Sequence, residues 1–225
     1  MKIAAFSDTH GLHKNVKVPD ADVVIFAGDL MNAGYRIQEA ADFAAFWNKL
    51  PHVYKILIAG NHDRLFEDEE IECLSLFRET IYLKDSGVTI NGVNFWGSPY
   101  QPKFNNWAFN VQRGPEIEKH WDKIPRDMDI LITHGPPFGI MDEVGELWGV
   151  AHVGCEELLT TVKVVRPKLH IFGHIHAGAD QGGVLVGDNE LAGTVFYNVS
   201  ICNEQYKPVN KPHLIDFKLN PVRIT

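Results

Sequence analysis

The chain has 225 residues, 45% of them hydrophobic and 22% charged, with a formal charge of −8. Such a length and composition fit one α/β domain, or two small ones, around a buried core. The acidic balance argues against general nucleic-acid binding, which needs a basic, phosphate-neutralising face, and no apolar run approaches the ~18 residues of a membrane span. Met1-Lys2 leads into Ile3-Ala4-Ala5-Phe6 and then Ser7-Asp8. That run is too short for a signal-peptide core, so a cytoplasmic location is expected. Cys73, Cys155 and Cys202 are scattered. Their spacing indicates neither a disulfide framework nor a thiolate zinc site.

Residues 2–6 read as a strand that stops at Ser7-Asp8-Thr9-His10-Gly11. If the chain stays extended, Asp8 and His10 share a face; Ser, Asp and Gly equally suit a plain turn. Residues 21–27 form a second, nearly all-apolar strand, as strands buried on both faces do, and end at Gly28-Asp29. Within 36–49, Ile37, Ala40, Ala41, Ala44 and Trp47 recur at helical spacing, and Pro51 stops the helix. A strand over 53–58 opens into Gly60-Asn61-His62-Asp63. The acidic run 67–70 suits a helix start or a solvated face, with a helix over 71–79. Short strands follow at 81–83, 88–90 and 93–96, the last two joined by the hairpin pair Asn91-Gly92.

Residues 97–114 form a long connection rich in aromatic and amide side chains, among them Tyr100, Phe104, Trp107, Phe109 and Asn110. Long connections are often functional; this one is either a self-packed loop or a pocket wall for a flat ring. Phe109, Asn110 and Arg113 are its candidate substrate contacts. Pro115 opens a short helix through Trp121. A strand over 128–133 ends at His134-Gly135, and a second long loop, 138–153, carries Gly145, Trp148 and His152. A helix over 155–165 precedes a strand over 169–172 that ends at Gly173-His174-Ile175-His176. Residues 178–193 are glycine-rich and turn-like, and 195–199 and 213–217 read as closing strands. With no repeat or linker, residues 1–225 are expected to form a single domain.

Five apolar strands thus run directly into loops bearing metal-compatible groups: Asp8 and His10, Asp29, Asn61 and His62, His134, then His174 and His176. Five of the 11 histidines fall at these positions. Each loop alone has a bland reading as a turn. Together they point to one site, because ligands of open α/β sheets sit at the carboxyl ends of strands. Carboxylate, imidazole and amide donors without thiolate suit Mn²⁺, Fe, Zn²⁺ or Mg²⁺. The donors exceed what one zinc uses, which two metals sharing a carboxylate would explain.

In order and composition, Asp8-Thr9-His10-Gly11, Gly28-Asp29, Gly60-Asn61-His62-Asp63, Thr133-His134-Gly135 and Gly173-His174-Ile175-His176 resemble the five blocks of the calcineurin-like metallophosphoesterases. Gly97-Ser98-Pro99, the stretch 106–110 and His134-Gly135-Pro136-Pro137 are similar to the metallophosphoesterase-domain (MPPED) phosphodiesterase subgroup. The resemblance implies an α/β fold, a β-sandwich core flanked by helices on both sides in four layers (α/β/β/α). It implies that Asp8, His10 and His176 hold one divalent metal, that Asn61, His134 and His174 hold another, and that Asp29 bridges them, with Mn²⁺ preferred. It places His62 as acid or charge stabiliser at the scissile phosphate and Asp63 as the group orienting His62. The expected reaction is attack by a metal-bridging hydroxide on a small, cyclic-nucleotide-like phosphodiester. The alternatives are a phosphomonoesterase or protein phosphatase, or a metal-bound interaction module with vestigial activity. A homodimer is compatible with the sequence; no membrane partner is expected.

Overall fold

The structure is a computed structural model that describes residues 1–146, 149–179, 182–185 and 190–219. Trp148, expected in the second long loop, lies outside the described residues. The first half of the chain runs β1 (Lys2–Phe6), β2 (Val23–Ala27), α1 (Ile37–Trp47), β3 (Tyr54–Ile58), α2 (Arg64–Asp68), α3 (Glu70–Ser75), β4 (Thr80–Tyr82), β5 (Ser86–Ile90) and β6 (Val93–Ser98). The second runs β7 (Gln101–Pro102), β8 (Asn110–Val111), α4 (Pro115–Trp121), β9 (Ile130–Thr133), β10 (Glu143–Glu146) and β11 (Gly149–His152). It closes with α5 (Glu156–Val165), β12 (Leu169–Phe172), β13 (Val184–Leu185), β14 (Val195–Asn198) and β15 (His213–Asp216).

Among the described residues, one sheet has the order β15-β1-β2-β3-β4 and the other β13-β14-β12-β9-β6-β5. β1 to β4 are parallel, with β15 antiparallel at the edge. β14, β12, β9 and β6 are parallel, between antiparallel β13 and β5. The alternation of side chains along each strand decides what it packs against. Ile3, Ala5, Ile25 and Ile56 of the first sheet face Phe95, Ile130, Ile132 and Ile171 of the second. Their neighbours Phe6, Val24, Phe26 and Leu57 turn outward onto Phe43 and Trp47 of α1 and Phe66 of α2. On the far side, Trp96, Leu131, Phe172 and Phe196 cover Ile117 and Trp121 of α4 and Leu158 and Val162 of α5. The result is the four-layer α/β/β/α sandwich. Because both sheet faces are covered, the central strands are mostly apolar, with the buried Lys55 of β3 and His170 of β12 as polar members.

The two sheets meet at the rim that carries the strand ends. Ser7, just past β1, forms a parallel bridge with Ser200, just past β14. The Ser7 N–H donates to the Val199 carbonyl at 3.0 Å, and the Ile201 N–H donates to the Ser7 carbonyl at 3.0 Å.

The expected elements differ from the observed ones at four places, the first being β13, which lies within the stretch 178–193 expected to be turn-like. The helix expected over 71–79 ends at Ser75, and a separate α2 precedes it. Glu69, at φ −132 and ψ 44, breaks the two apart. The connection 97–114 is not structureless: Gln101 pairs with Asn110 and Pro102 with Val111. The second long loop contains the β10–β11 hairpin, with Glu143 opposite His152. Asn91 and Gly92 have φ values of 51 and 79, as the tight hairpin between β5 and β6 requires. No helix among the described residues is long and apolar enough to cross a membrane.

Candidate metal centre

β1, β2 and β3 of one sheet and β9 and β12 of the other are parallel within their sheets. Their carboxyl ends deliver Asp8 and His10, Asp29, Asn61 and His62, His134, and His174 and His176 to one rim. Asp8, His10, Asp29 and His174 have left-handed backbones, with φ of 53, 42, 61 and 68. For non-glycine residues this costs about 1 kcal/mol or more each, and it persists where the surroundings over-determine it. Here the surroundings are the loops themselves: the Asp8 N–H donates to the Gly28 carbonyl at 2.9 Å and the His10 N–H to the Asp29 carbonyl at 3.1 Å. The sequence suggests Gly60 as a turn residue, but its role is clearance. A Cβ at Gly60 would overlap the Asp29 carboxylate and lie 2.6 Å from the His134 ring.

The donor atoms fall into three groups, each within 4.8 Å: Asp8, His10 and His176; Asp29, His134 and His174; and His10, Asp29 and His62. His10 Nε2 and His176 Nε2 are 3.3 Å apart, and Asp8 Oδ1 is 3.4 Å from His176 Nε2. Asp29 stands between the sets, Oδ1 at 3.3 Å from His134 Nε2 and Oδ2 at 3.8 Å from His10 Nε2. Asn61 Oδ1 joins the second set, 2.9 Å from His134 Nε2. Donors bonded to one cation at ~2.0–2.2 Å stand roughly 3–3.5 Å from one another; these separations fall in or next to that range, except the wider 3.8 Å between Asp29 and His10.

The surrounding hydrogen bonds fit a cation as well. Nδ1 of His134 faces the Ala27 carbonyl at 2.9 Å, and Nδ1 of His176 faces the Asn203 carbonyl at 3.0 Å. A carbonyl only accepts, so Nδ1 carries a proton in both rings, and Nε2 is the atom left to bind a cation. Burial raises the carboxyls of Asp29 and Asp8, but His134 beside the first and His176 beside the second reverse the effect and leave both below the usual carboxylate range. Burial holds His10 at about 4 and His174 at about 3, so both rings are neutral near pH 7. His176 and His134 are shifted the other way: burial lowers His176, but the Asp8 carboxylate outweighs it and raises the ring, and His134 is shifted further. Burial lowers it, but the Asp29 carboxylate outweighs burial and lifts it to about 9. Ligation at His134 therefore releases a proton.

His62 packs its ring against Trp107 at 4.1 Å and meets His10 edge-on at 4.6 Å. Its Nδ1 donates to the Asn32 carbonyl at 2.6 Å. The Asn32 carbonyl, and not Asp63, is the hydrogen-bond partner of His62 Nδ1, so an orienting role for Asp63 would act through the backbone. Asp63 is wholly buried. Its carboxylate accepts from the backbone N–H groups of Asp29 at 2.9 Å, Met31 at 2.9 Å and Gly60 at 2.8 Å. Asp63 is a brace between the two loops that present Asp29 and His62. Burial and the nearby Asp29 carboxylate push it up to about 7, against the pull of these N–H groups. Asp63→Asn replaces an acceptor with a donor facing those groups, and about 1–3 kcal/mol of stability should be lost. The loss should appear as a lowered Tm and weaker metal retention. A wild-type Tm with slow turnover would restore the orienting role.

Of the candidate substrate contacts, Arg113 alone lines the cavity above the ligands. Its guanidinium donates to the carbonyls of Gly154 and Val153, both at 2.8 Å. Phe109 is fully buried in the cluster under α1. Asn110 spends its amide on the Phe104 carbonyl at 2.9 Å and holds the loop. Among the described residues, Phe104, Trp107 and Tyr206 are the Phe, Tyr and Trp side chains that line the cavity. Tyr206, in the glycine-free turn after Cys202, lies 4.7 Å from the His10 ring. It lacks any local sequence signature. His152 pairs with Asp142 at 2.7 Å and belongs to none of the three donor groups. The cavity encloses about 620 Å³.

The profile of the family described as calcineurin-like phosphoesterase matches residues 1–178. The chain is 39% identical to the human Metallophosphoesterase domain-containing protein 1, over 96% of this chain and 70% of that protein. It is 37% identical to UPF0046 protein K07C11.7 of Caenorhabditis elegans, over 94% of this chain and 73% of that one. Among solved structures, TT1561 of Thermus thermophilus shares the fold, with a TM-score of 0.57 at 14% identity over 89% of this chain and 90% of its own. The profile match and the two relatives place this chain in the calcineurin-like phosphoesterase family.

Proposed function

We propose that this phosphoesterase is a dinuclear, metal-dependent phosphodiesterase of small, nucleotide-like diesters. The observation that carries the reading is the position of Asp29, shared between donor groups on either side of it, with His62 as a further imidazole against the same carboxylate. Asp8, His10 and His176 would hold one cation, Asn61, His134 and His174 the other, and Asp29 both. Such a pair, when bound, lowers the pKa of a water and neutralises phosphoryl oxygens, and Mn²⁺, Fe, Zn²⁺ or Mg²⁺ suits these donors, Mn²⁺ being the preferred assignment.

The chain's own residues bind and protonate. The Asn32 carbonyl fixes the His62 Nδ1 as a donor, so Nε2 is the atom that gives up a proton to the leaving oxygen. Lys103 and Arg113 at the cavity wall favour an anionic substrate. A cavity of about 620 Å³ with aromatic walls has room for organic groups on both sides of a phosphate, which supports a diester over a monoester.

The test is metal analysis of the purified protein and a substrate panel in Mn²⁺: mono- and diesters, including 2′,3′- and 3′,5′-cyclic nucleotides. A higher kcat/KM on diesters is expected. Activity on monoesters alone overturns the diester reading, and full activity with one metal per chain overturns the dinuclear one.

A further inference from the structure

A second depression lies on the other side of His62. It encloses about 560 Å³ and shares His62, Trp107 and Tyr206 with the cavity over the metal ligands. Tyr35 and Asn106 line it without lining the first cavity. We propose that this depression is the subsite for the leaving group, and that the enzyme takes linear diesters whose leaving group is a planar ring.

On the phosphodiesterase reading, the chemistry of the acid decides where the leaving group lies. In hydrolysis a water oxygen bonds to phosphorus and the bond from phosphorus to the leaving oxygen breaks. His62 Nε2 gives its proton to that oxygen, the water loses one proton to solvent, and solvent reprotonates His62. The leaving oxygen must therefore lie within hydrogen-bond reach of His62. Its substituent extends beyond His62, and the space there is the second depression. The wall that divides the two spaces is aromatic: Trp107 lies nearly parallel to the His62 ring, at 28°, and Tyr206 flanks it at 6.2 Å. Tyr206 lies past residue 178, where the family match stops.

The subsite is built rather than a gap in a loose loop. Glu39 accepts from the N–H groups of Asn32 at 2.8 Å and Ala33 at 3.0 Å. The Gly34 carbonyl accepts from the Leu65 N–H at 3.0 Å. Gly34 sits at φ +79 against the His62 carbonyl, where a Cβ would overlap that oxygen. The loop bearing Tyr35 and the loop bearing His62 are thus held as one unit. Tyr35 itself is 62% exposed, a large ring with its face free to stack.

The experiment compares wild type and Tyr35→Ala, both loaded with Mn²⁺. The substrates are thymidine 5′-phenyl phosphate, with a free planar leaving group whose oxygen departs with a proton, and a 2′,3′-cyclic nucleotide, whose leaving oxygen stays tethered to the ribose. Loss of one stacking ring should lower the linear-to-cyclic ratio of kcat/KM by about tenfold. A ratio equal to wild type, whatever happens to the two rates separately, overturns the subsite. Hydrolysis of neither diester by the wild type, with monoesters cleaved, overturns the phosphodiesterase reading and the subsite with it. Metal content measured on both proteins separates either result from a loading defect.

Discussion

Asp29→Asn is expected to lose metal and activity together. Asp29 is almost wholly buried, at 1% exposure, and both its oxygens face ligand rings, Oδ1 toward His134 and Oδ2 toward His10. Oδ1 also accepts from the His62 N–H at 2.8 Å. An amide has one acceptor oxygen in place of two and carries no charge. Its NH₂ would face an imidazole lone pair on one side or the other, and two cations held by the two sets would lose the one charged side chain proposed to bridge them. Metal affinity should fall by at least ~100-fold, since even partners beyond the ligands are worth ~10–100-fold. kcat should fall by ~1000-fold or more, the equivalent of several kcal/mol of charge stabilisation. Metal stoichiometry after gel filtration, with turnover in excess Mn²⁺, tests both, and a circular dichroism spectrum confirms folding. Two retained metals with near-wild-type turnover would remove Asp29 from the bridging position.

The convergence of the candidate donors was legible because each sits one to four residues beyond an apolar strand, and parallel strands of one sheet end on one side. His10 and His176 lie 166 residues apart in the chain, yet each is announced by its own strand. The sandwich followed from the resemblance carried by the same blocks, and the doubly covered sheets were visible in the unbroken apolar runs of β2 and β9. What failed to show depends on partners distant in sequence. Asp63 sits beside His62, but its carboxylate is taken by N–H groups of residues 29–31, more than thirty positions earlier. The stretch 104–109 lies between β7 and β8 with no strand period to say which aromatics face the cavity. Phe109, with its left-handed backbone at φ 53, turns into the core, while Trp107 faces His62. Tyr206 reaches the site through the bridge between Ser7 and Ser200, which only the packing of the two sheets creates.

His62→Ala is expected to separate metal binding from proton transfer. A nitrogen of its ring lies within 4.8 Å of donor atoms of His10 and Asp29, but neither proposed cation set uses it, so metal stoichiometry should match wild type. Turnover should fall by ~10²–10⁴-fold, the usual worth of a positioned acid. The dependence on leaving group then distinguishes two roles for the ring. An acid matters most when the leaving oxygen is a poor one. The loss should therefore be greater on a diester with an alkoxide leaving group than on one that releases p-nitrophenolate, which departs without a proton. A charge stabiliser acting on the phosphoryl oxygens would reduce both by the same factor. Equal losses on the two substrates would keep His62 in the site and remove its role as acid; wild-type turnover in a fully metallated variant would remove it from the chemistry altogether. The stacking of Trp107 on the His62 ring makes a control necessary. His62→Asn keeps a polar side chain of similar reach but cannot donate an acidic proton near pH 7. If His62→Asn matches His62→Ala in rate and in leaving-group dependence, the loss belongs to the proton and not to a collapsed aromatic wall.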